Sequence, residues 1–336
     1  MIRTATLAAT VLLALAPGQA FAWGSMGHRI VGVAAMRALP SELPAFLRTP
    51  QAVDDVGEYS REPDRWKGAG RIHDHNRDAG HFLDLDDEGK LLGGPAFAPL
   101  PNTRADYEKA LQAAGLDSWK AGYLPFSIVD QQQQLTKDFA YWRVVNHALA
   151  KEKIRARRAW LARDLQRRED QILRTIGELS HYVGDGTQPL HVSVHYNGWG
   201  SEYPNPQGYT NAKIHGAFEG DLVKDNVKPE AVRAAITPLR KFTGPIERET
   251  VSYLSATGRL VIPLYELEKA GGLKNGDPRG TAFVARQLAV GASELRDMIY
   301  SAWVGSLDTT MGWPITRVED VLSGKVDAYV PLYGKD

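Results

Sequence analysis

The chain of 336 residues contains no cysteine, which excludes a disulfide framework and a lipid-bearing cysteine. Neither sign of charge is in excess, with 40 Lys and Arg against 40 Asp and Glu. A protein that holds polyanions through basic patches alone is more basic than this. If the chain handles phosphate, the positive charge must come from elsewhere, and metal is the obvious source. Strand-like alternation is scarce, and no repeat, low-complexity tract or linker divides the sequence. The apolar run from Ala5 to Pro17 is too short and too early for a membrane span. With Arg3 before it and Ala20-Phe21-Ala22 behind it, it reads as a signal peptide, residues 1–22, cleaved after Ala22. The expectation is export to the periplasm or medium without stable membrane insertion, with residues 23–336 as one domain. Such a chain without disulfides is held by core burial, metals or both.

What is present is helical periodicity. Leu161, Leu165, Ile172, Ile176 and Leu179 fall at helical spacings, as do Leu288, Leu295 and Ile299 between Phe283 and Trp303. Arg104 to Ala114 and Gln134 to Ala150 also read as helices. Gly93–Asn102 and Asn197–Tyr209 read as loops, the second long and aromatic. The fold class expected is all-α, a single mainly helical domain with long loops.

The nine histidines carry the chemistry. His181 and Asp185 stand at i and i+4, a spacing that stacks both side chains on one helical face. Pro189 stops that helix and His191 follows. His215 and Glu219 form a second such pair. Imidazole nitrogen with carboxylate oxygen is a donor set that zinc accepts. Cleavage after Ala22 would free the Trp23 amine, a metal ligand once deprotonated, whose own carbonyl can close a chelate. His28 lies five residues on, across Gly24 and Gly27, which let the backbone fold tightly. His73, His75, His147 and His195 read as loop, packed or supporting residues outside the site.

Taken in order, Trp23-Gly24-Ser25-Met26-Gly27-His28, His81-Phe82-Leu83-Asp84, His181-x3-Asp185-x5-His191 and His215-x3-Glu219 resemble a known family. The chain looks like the trinuclear-zinc single-strand nucleases of the mung bean and fungal mould type. They share a superfamily with the bacterial zinc-dependent phospholipases C. The resemblance implies three zinc ions. Asp64, His81, His181 and Asp185 would hold the first. The Trp23 amine and carbonyl, His28 and a bridging Asp185 would hold the second, and His191, His215 and Glu219 the third. It implies hydrolysis of single-stranded DNA or RNA to 5′-phosphorylated products, with Asp64, Lys67 and Asp185 in catalytic positions. Phe82 would stack on a base, with Asp84 on the base edge.

The chain also departs from that pattern. Asp64 stands in Glu62-Pro63-Asp64-Arg65-Trp66 where the nucleases carry Trp-Ala-Asp, with Asp54, Asp55 and Glu58 as competitors. Lys67 replaces an Arg, and Glu219 replaces the nucleases' Asp. Residues 82–180 form a longer insertion than in such nucleases and are expected to cover or reshape the cleft. Phospholipase C activity on a phospholipid is the alternative, although Met26 stands where those enzymes carry an acidic residue for choline. A zinc-scaffolded binding protein without turnover is a third reading. The loop around Tyr196, Trp199 and Tyr203, expected to be exposed, speaks against it.

Overall fold

The computed structural model describes residues 23–313 and 315–333, and helix makes up 63% of it. Strand is confined to one two-residue pair, so the all-α expectation holds. The segment read as a signal peptide lies outside the described residues. In chain order, α1 (Gly24–Arg37) and α2 (Pro50–Tyr59) precede the short α3 (Glu62–Arg65) and α4 (Arg71–His75). Then come α5 (Arg104–Ala113), α6 (Ser118–Ala121) and the long α7 (Leu124–Lys151) and α8 (Arg155–Thr187). After α9 (Leu222–Asn226) and α10 (Pro229–Ala234) follow α11 (Ile246–Gly258), α12 (Val261–Lys269) and the long α13 (Pro278–Gly305). The hairpin β1 (Thr310–Met311) and β2 (Thr316–Arg317) leads to α14 (Val318–Leu322) and α15 (Tyr329–Tyr333).

Several helix starts are written locally. The Thr49 side chain accepts from the Ala52 amide beside Pro50, and Asp277 caps the Arg279 amide beside Pro278. The helix expected from Gln134 starts earlier, at Leu124, because Pro125 sits in the first turn, where its missing N–H costs no bond. The glutamine run Gln131–Gln134 is therefore part of α7. His73 and His75, expected in a loop, belong to α4, which buries no residue.

The core lies where α7, α8, α1 and α13 meet. Ile172, Ile176 and Leu179 of α8 are buried, as are Phe139 of α7, Leu288, Leu295 and Ile299 of α13, and Val31 and Ala35 of α1. Each such aliphatic side chain contributes about 1.5–3 kcal/mol by leaving water. Among the described residues no helix is long and apolar enough to cross a membrane.

One close approach matters for the site. A Cβ at Gly177 of α8 would lie 2.2 Å from Tyr59 Cβ, so α2 rests directly on the α8 backbone there. That approach carries the Ser60 carbonyl, just past α2, to within 2.8 Å of His181 Nδ1. Gly177→Ala is expected to lower stability by about 1–3 kcal/mol through overpacking. Urea unfolding checks this, and an unchanged midpoint would mean that α2 is not seated on α8 as described.

Candidate metal centre

The last two turns of α8 run through the core, and Ser180 to Thr187 are all buried. His181 and Asp185 project from one face of it, as their spacing predicts. Pro189 ends the helix. The Gln188 side chain accepts from the Leu190 amide at 2.7 Å, and a single 3-10 turn, Pro189–His191, swings His191 back beside His81.

Three imidazoles are aimed in the same way. His181 Nδ1 donates to the Ser60 carbonyl at 2.8 Å, His191 Nδ1 to the His81 carbonyl at 2.8 Å, and His215 Nδ1 to the Tyr196 carbonyl at 2.7 Å. A carbonyl oxygen only accepts, so in each neutral ring the proton sits on Nδ1 and Nε2 keeps its lone pair. Anchoring one ring nitrogen in this manner is how proteins orient metal-binding histidines.

The free nitrogens and the carboxylates converge into three groups, within each of which the ligand atoms lie no more than 4.8 Å apart. His28, His181 and Asp185 form one, Asp64, His81 and His181 the second, and His191, His215 and Glu219 the third. Asp185 faces two ways. Its Oδ2 is 3.1 Å from His81 Nδ1 and 3.4 Å from His181 Nε2, while its Oδ1 is 3.5 Å from His28 Nε2. In the third group His215 Nε2 lies 2.8 Å from Glu219 Oε2 and 3.0 Å from His191 Nε2. Acceptors at such distances repel one another unless a cation or proton sits between them.

Glu219 is not on a regular α-helix as expected. Ala217–Asp221 is a π turn, whose wider winding shifts the carboxylate relative to His215. His28 also differs from expectation: no tight loop joins it to Trp23. Regular helix α1 starts at Gly24, and the Trp23 carbonyl accepts from the Gly27 amide in its first turn. Trp23 itself is fully buried, its indole donating to Thr187 Oγ1 at 2.8 Å and packing on Phe218 at 5.4 Å. Its peptide nitrogen becomes an amine only if the chain is cut after Ala22.

The residues present fit metal ions on a further observation. His28 is fully buried, and neither of its ring nitrogens has a hydrogen-bond partner. Asp185 Oδ1, also buried, is unpartnered too. Leaving such groups unsatisfied costs about 1–3 kcal/mol each, more when charged, so a cation that accepts their lone pairs resolves the arrangement. Gly184 makes the contact feasible, since a Cβ there would approach His28 Nδ1 to 2.8 Å. Burial holds His28, His81 and His181 well below the ordinary imidazole value and lowers His191 as well, so these rings are neutral. Burial, reinforced by the charge of Asp64, pushes Asp185 well above the usual carboxylate range.

Beside the groups opens a cleft of about 390 Å³ that includes Lys67, Phe82, Asp84, His191 and His215 in its lining. The chain matches no protein-family model and no curated protein. Lys67 Nζ pairs with Asp64 Oδ1 at 2.7 Å, and burial raises the Asp84 carboxyl to about 8. The competitors of Asp64 are engaged elsewhere: Asp54 and Glu58 pair with Arg29, and Asp55 accepts from Gln51. His195 stacks on Trp199 at 3.7 Å and reaches Asp87, outside the three groups. Of the aromatic loop expected to be exposed, only Tyr196 is; Trp199 is core and Tyr203 half-buried. Lys120 and Asp78 also line the cleft. Nothing local to either residue signals that position.

The metal-free protein, prepared with a chelator, should take up three equivalents of zinc, and His215→Ala should take up one fewer while remaining folded. Equilibrium dialysis with elemental analysis reads this, and equal uptake by both proteins would remove the third group from the centre. Metal-free protein should also lose stability as pH falls below about 6.5. The unfolded chain then protonates imidazoles that the fold keeps neutral. Asp185, Asp84 and Glu294, each raised by burial, act in the opposite sense, keeping their protons when folded, but the four histidines outnumber them. A Tm that stays flat from pH 8 to 5.5 would contradict the neutral cluster.

Proposed function

We propose that the chain is an exported phosphodiesterase that cuts single-stranded DNA or RNA to 5′-phosphorylated products at a site for three zinc ions. The observation that supports this most is the convergence of three His–carboxylate groups beside a cleft that also presents Phe82, Asp84 and Lys67. Asp64, His81, His181 and Asp185 would hold one ion. His28 and Asp185, with the Trp23 amine and carbonyl after cleavage behind Ala22, would hold the second. His191, His215 and Glu219 would hold the third. A donor set dominated by imidazole and carboxylate suits zinc. When bound, zinc supplies Lewis acidity at the phosphoryl oxygens and an acidic water as nucleophile.

The chain's own side chains account for the rest. Phe82 offers a π-face, which every base can use but only outside a duplex. Asp84, with its pKa near 8, keeps a proton at neutral pH and can donate it in a hydrogen bond to an acceptor on the base edge. Lys67, held by Asp64, supplies a point charge for phosphate where an Arg would supply a fork. Three dications outweigh the carboxylates Asp64, Asp185 and Glu219, so an anionic substrate is attracted without a basic surface.

The full-length chain, expressed with its own N-terminus and recovered from the periplasm or medium, should begin at Trp23 on N-terminal sequencing. With zinc it should release 5′-mononucleotides from single-stranded DNA or RNA. His181→Ala and chelator treatment should each lower the rate at least a hundredfold. Diacylglycerol release from phosphatidylcholine without nucleotide release would replace the substrate assignment by phospholipase C. Binding of three zinc ions with neither activity would favour a non-catalytic scaffold.

A further inference from the structure

The insertion between His81 and His181 builds one side of the cleft, and it does so through main-chain bonds to the segment that carries Phe82 and Asp84. The Asp84 amide donates to the Ala121 carbonyl at 3.0 Å, and the Leu124 amide donates to the Phe82 carbonyl at 3.2 Å. Leu83 and Gly122 form an antiparallel bridge between them. α6 is thereby fixed against the backbone that carries Phe82 and Asp84, and Trp119, stacked on His75 at 4.7 Å, holds it from the outer side. The next residue, Lys120, is exposed and lines the cleft. No carboxylate pairs with its ammonium among the described residues, whereas Lys67 is tied to Asp64.

A second residue of the lining comes from the other side. Tyr196 is 53% exposed, yet its backbone is not free to drift, because its carbonyl accepts from His215 Nδ1. The neighbouring Asn197 side chain accepts from the His215 amide at 3.2 Å. The ring is therefore an exposed aromatic face carried on backbone that is anchored beside the third group. A cleft of about 390 Å³ is at the small end of the range that encloses a ligand, about 300–1,000 Å³. Of the residues lining it, only Lys120 and Tyr196 are exposed, so they stand at its mouth, where a strand leaving the cleft passes.

We infer that Lys120 and Tyr196 form a subsite for the nucleotide next to the one that Phe82 and Asp84 hold, Tyr196 stacking its base and Lys120 pairing with its phosphate. This inference rests on the function proposed above. It makes the enzyme one that prefers a strand to a dinucleotide, and it gives the insertion a role in substrate length.

The test uses the secreted, zinc-loaded protein on a thymidine decamer and on the dinucleotide TpT over a range of salt. Lys120→Gln should lower the decamer-to-dinucleotide ratio of kcat/KM about tenfold. It should also make the slope of log(kcat/KM) against log salt shallower by about 0.7, the value of one phosphate contact on a single strand. Lys120→Arg should retain both properties. Tyr196→Ala should lower kcat/KM for the decamer about tenfold, as loss of one stacked base does, and Tyr196→Phe should not. A wild type that cleaves the decamer, with the Lys120→Gln ratio and slope unchanged, overturns the subsite alone. A wild type that cleaves neither substrate while binding zinc overturns the function and the subsite together.

Discussion

Three main-chain carbonyls decide where the histidines point. The Ser60, His81 and Tyr196 carbonyls each accept a hydrogen bond from the Nδ1–H of an imidazole, which leaves the Nε2 lone pairs of His181, His191 and His215 facing inward. Those carbonyls belong to three separate segments: the end of α2, the turn before Phe82, and the loop after His195. The centre thus exists only if α2 lies on α8, the His81 turn meets the Pro189–His191 turn, and the Tyr196 loop folds back onto the π turn.

The same arrangement explains why the core of an all-α protein contains so many polar groups. His28, His181 and Asp185 are completely buried, and two of them have buried atoms with no hydrogen-bond partner. A helical core without disulfides would be weakened by such a cluster. It is strengthened if cations occupy it, because binding then draws on segments that are far apart in the chain, from α1 to the π turn. Stability and the proposed activity are in this sense properties of one set of side chains.

The cleft is assembled differently. Its floor and one side come from the segment after His81 and from the insertion hydrogen-bonded to it, and its other side comes from the loop that also orients His215. Groups that would touch substrate are therefore neighbours, through backbone, of groups that would hold metal. A shift in either wall moves a ligand as well.

Much was legible in the sequence because helical periodicity is local. The stripes through Ile172 and Ile176 and through Leu288 and Leu295 are long enough to settle the fold class, and the i, i+4 spacing puts His181 and Asp185 on one face whatever the tertiary fold. Other features depend on contacts between distant segments and were decided only by tertiary structure. The π turn at Glu219 overrode the regular helix its spacing suggested. Trp199 entered the core beside Tyr209 and Tyr265, although its Gly- and Asn-rich surroundings read as an exposed loop. Asp64 was separated from Asp54 and Glu58 because Arg29, on another helix, claimed those two. Residue type and spacing determined which atoms can act as ligands; chain packing determined which of them meet, since only the folded backbone brings Ser60, His81 and Tyr196 to the imidazoles they orient.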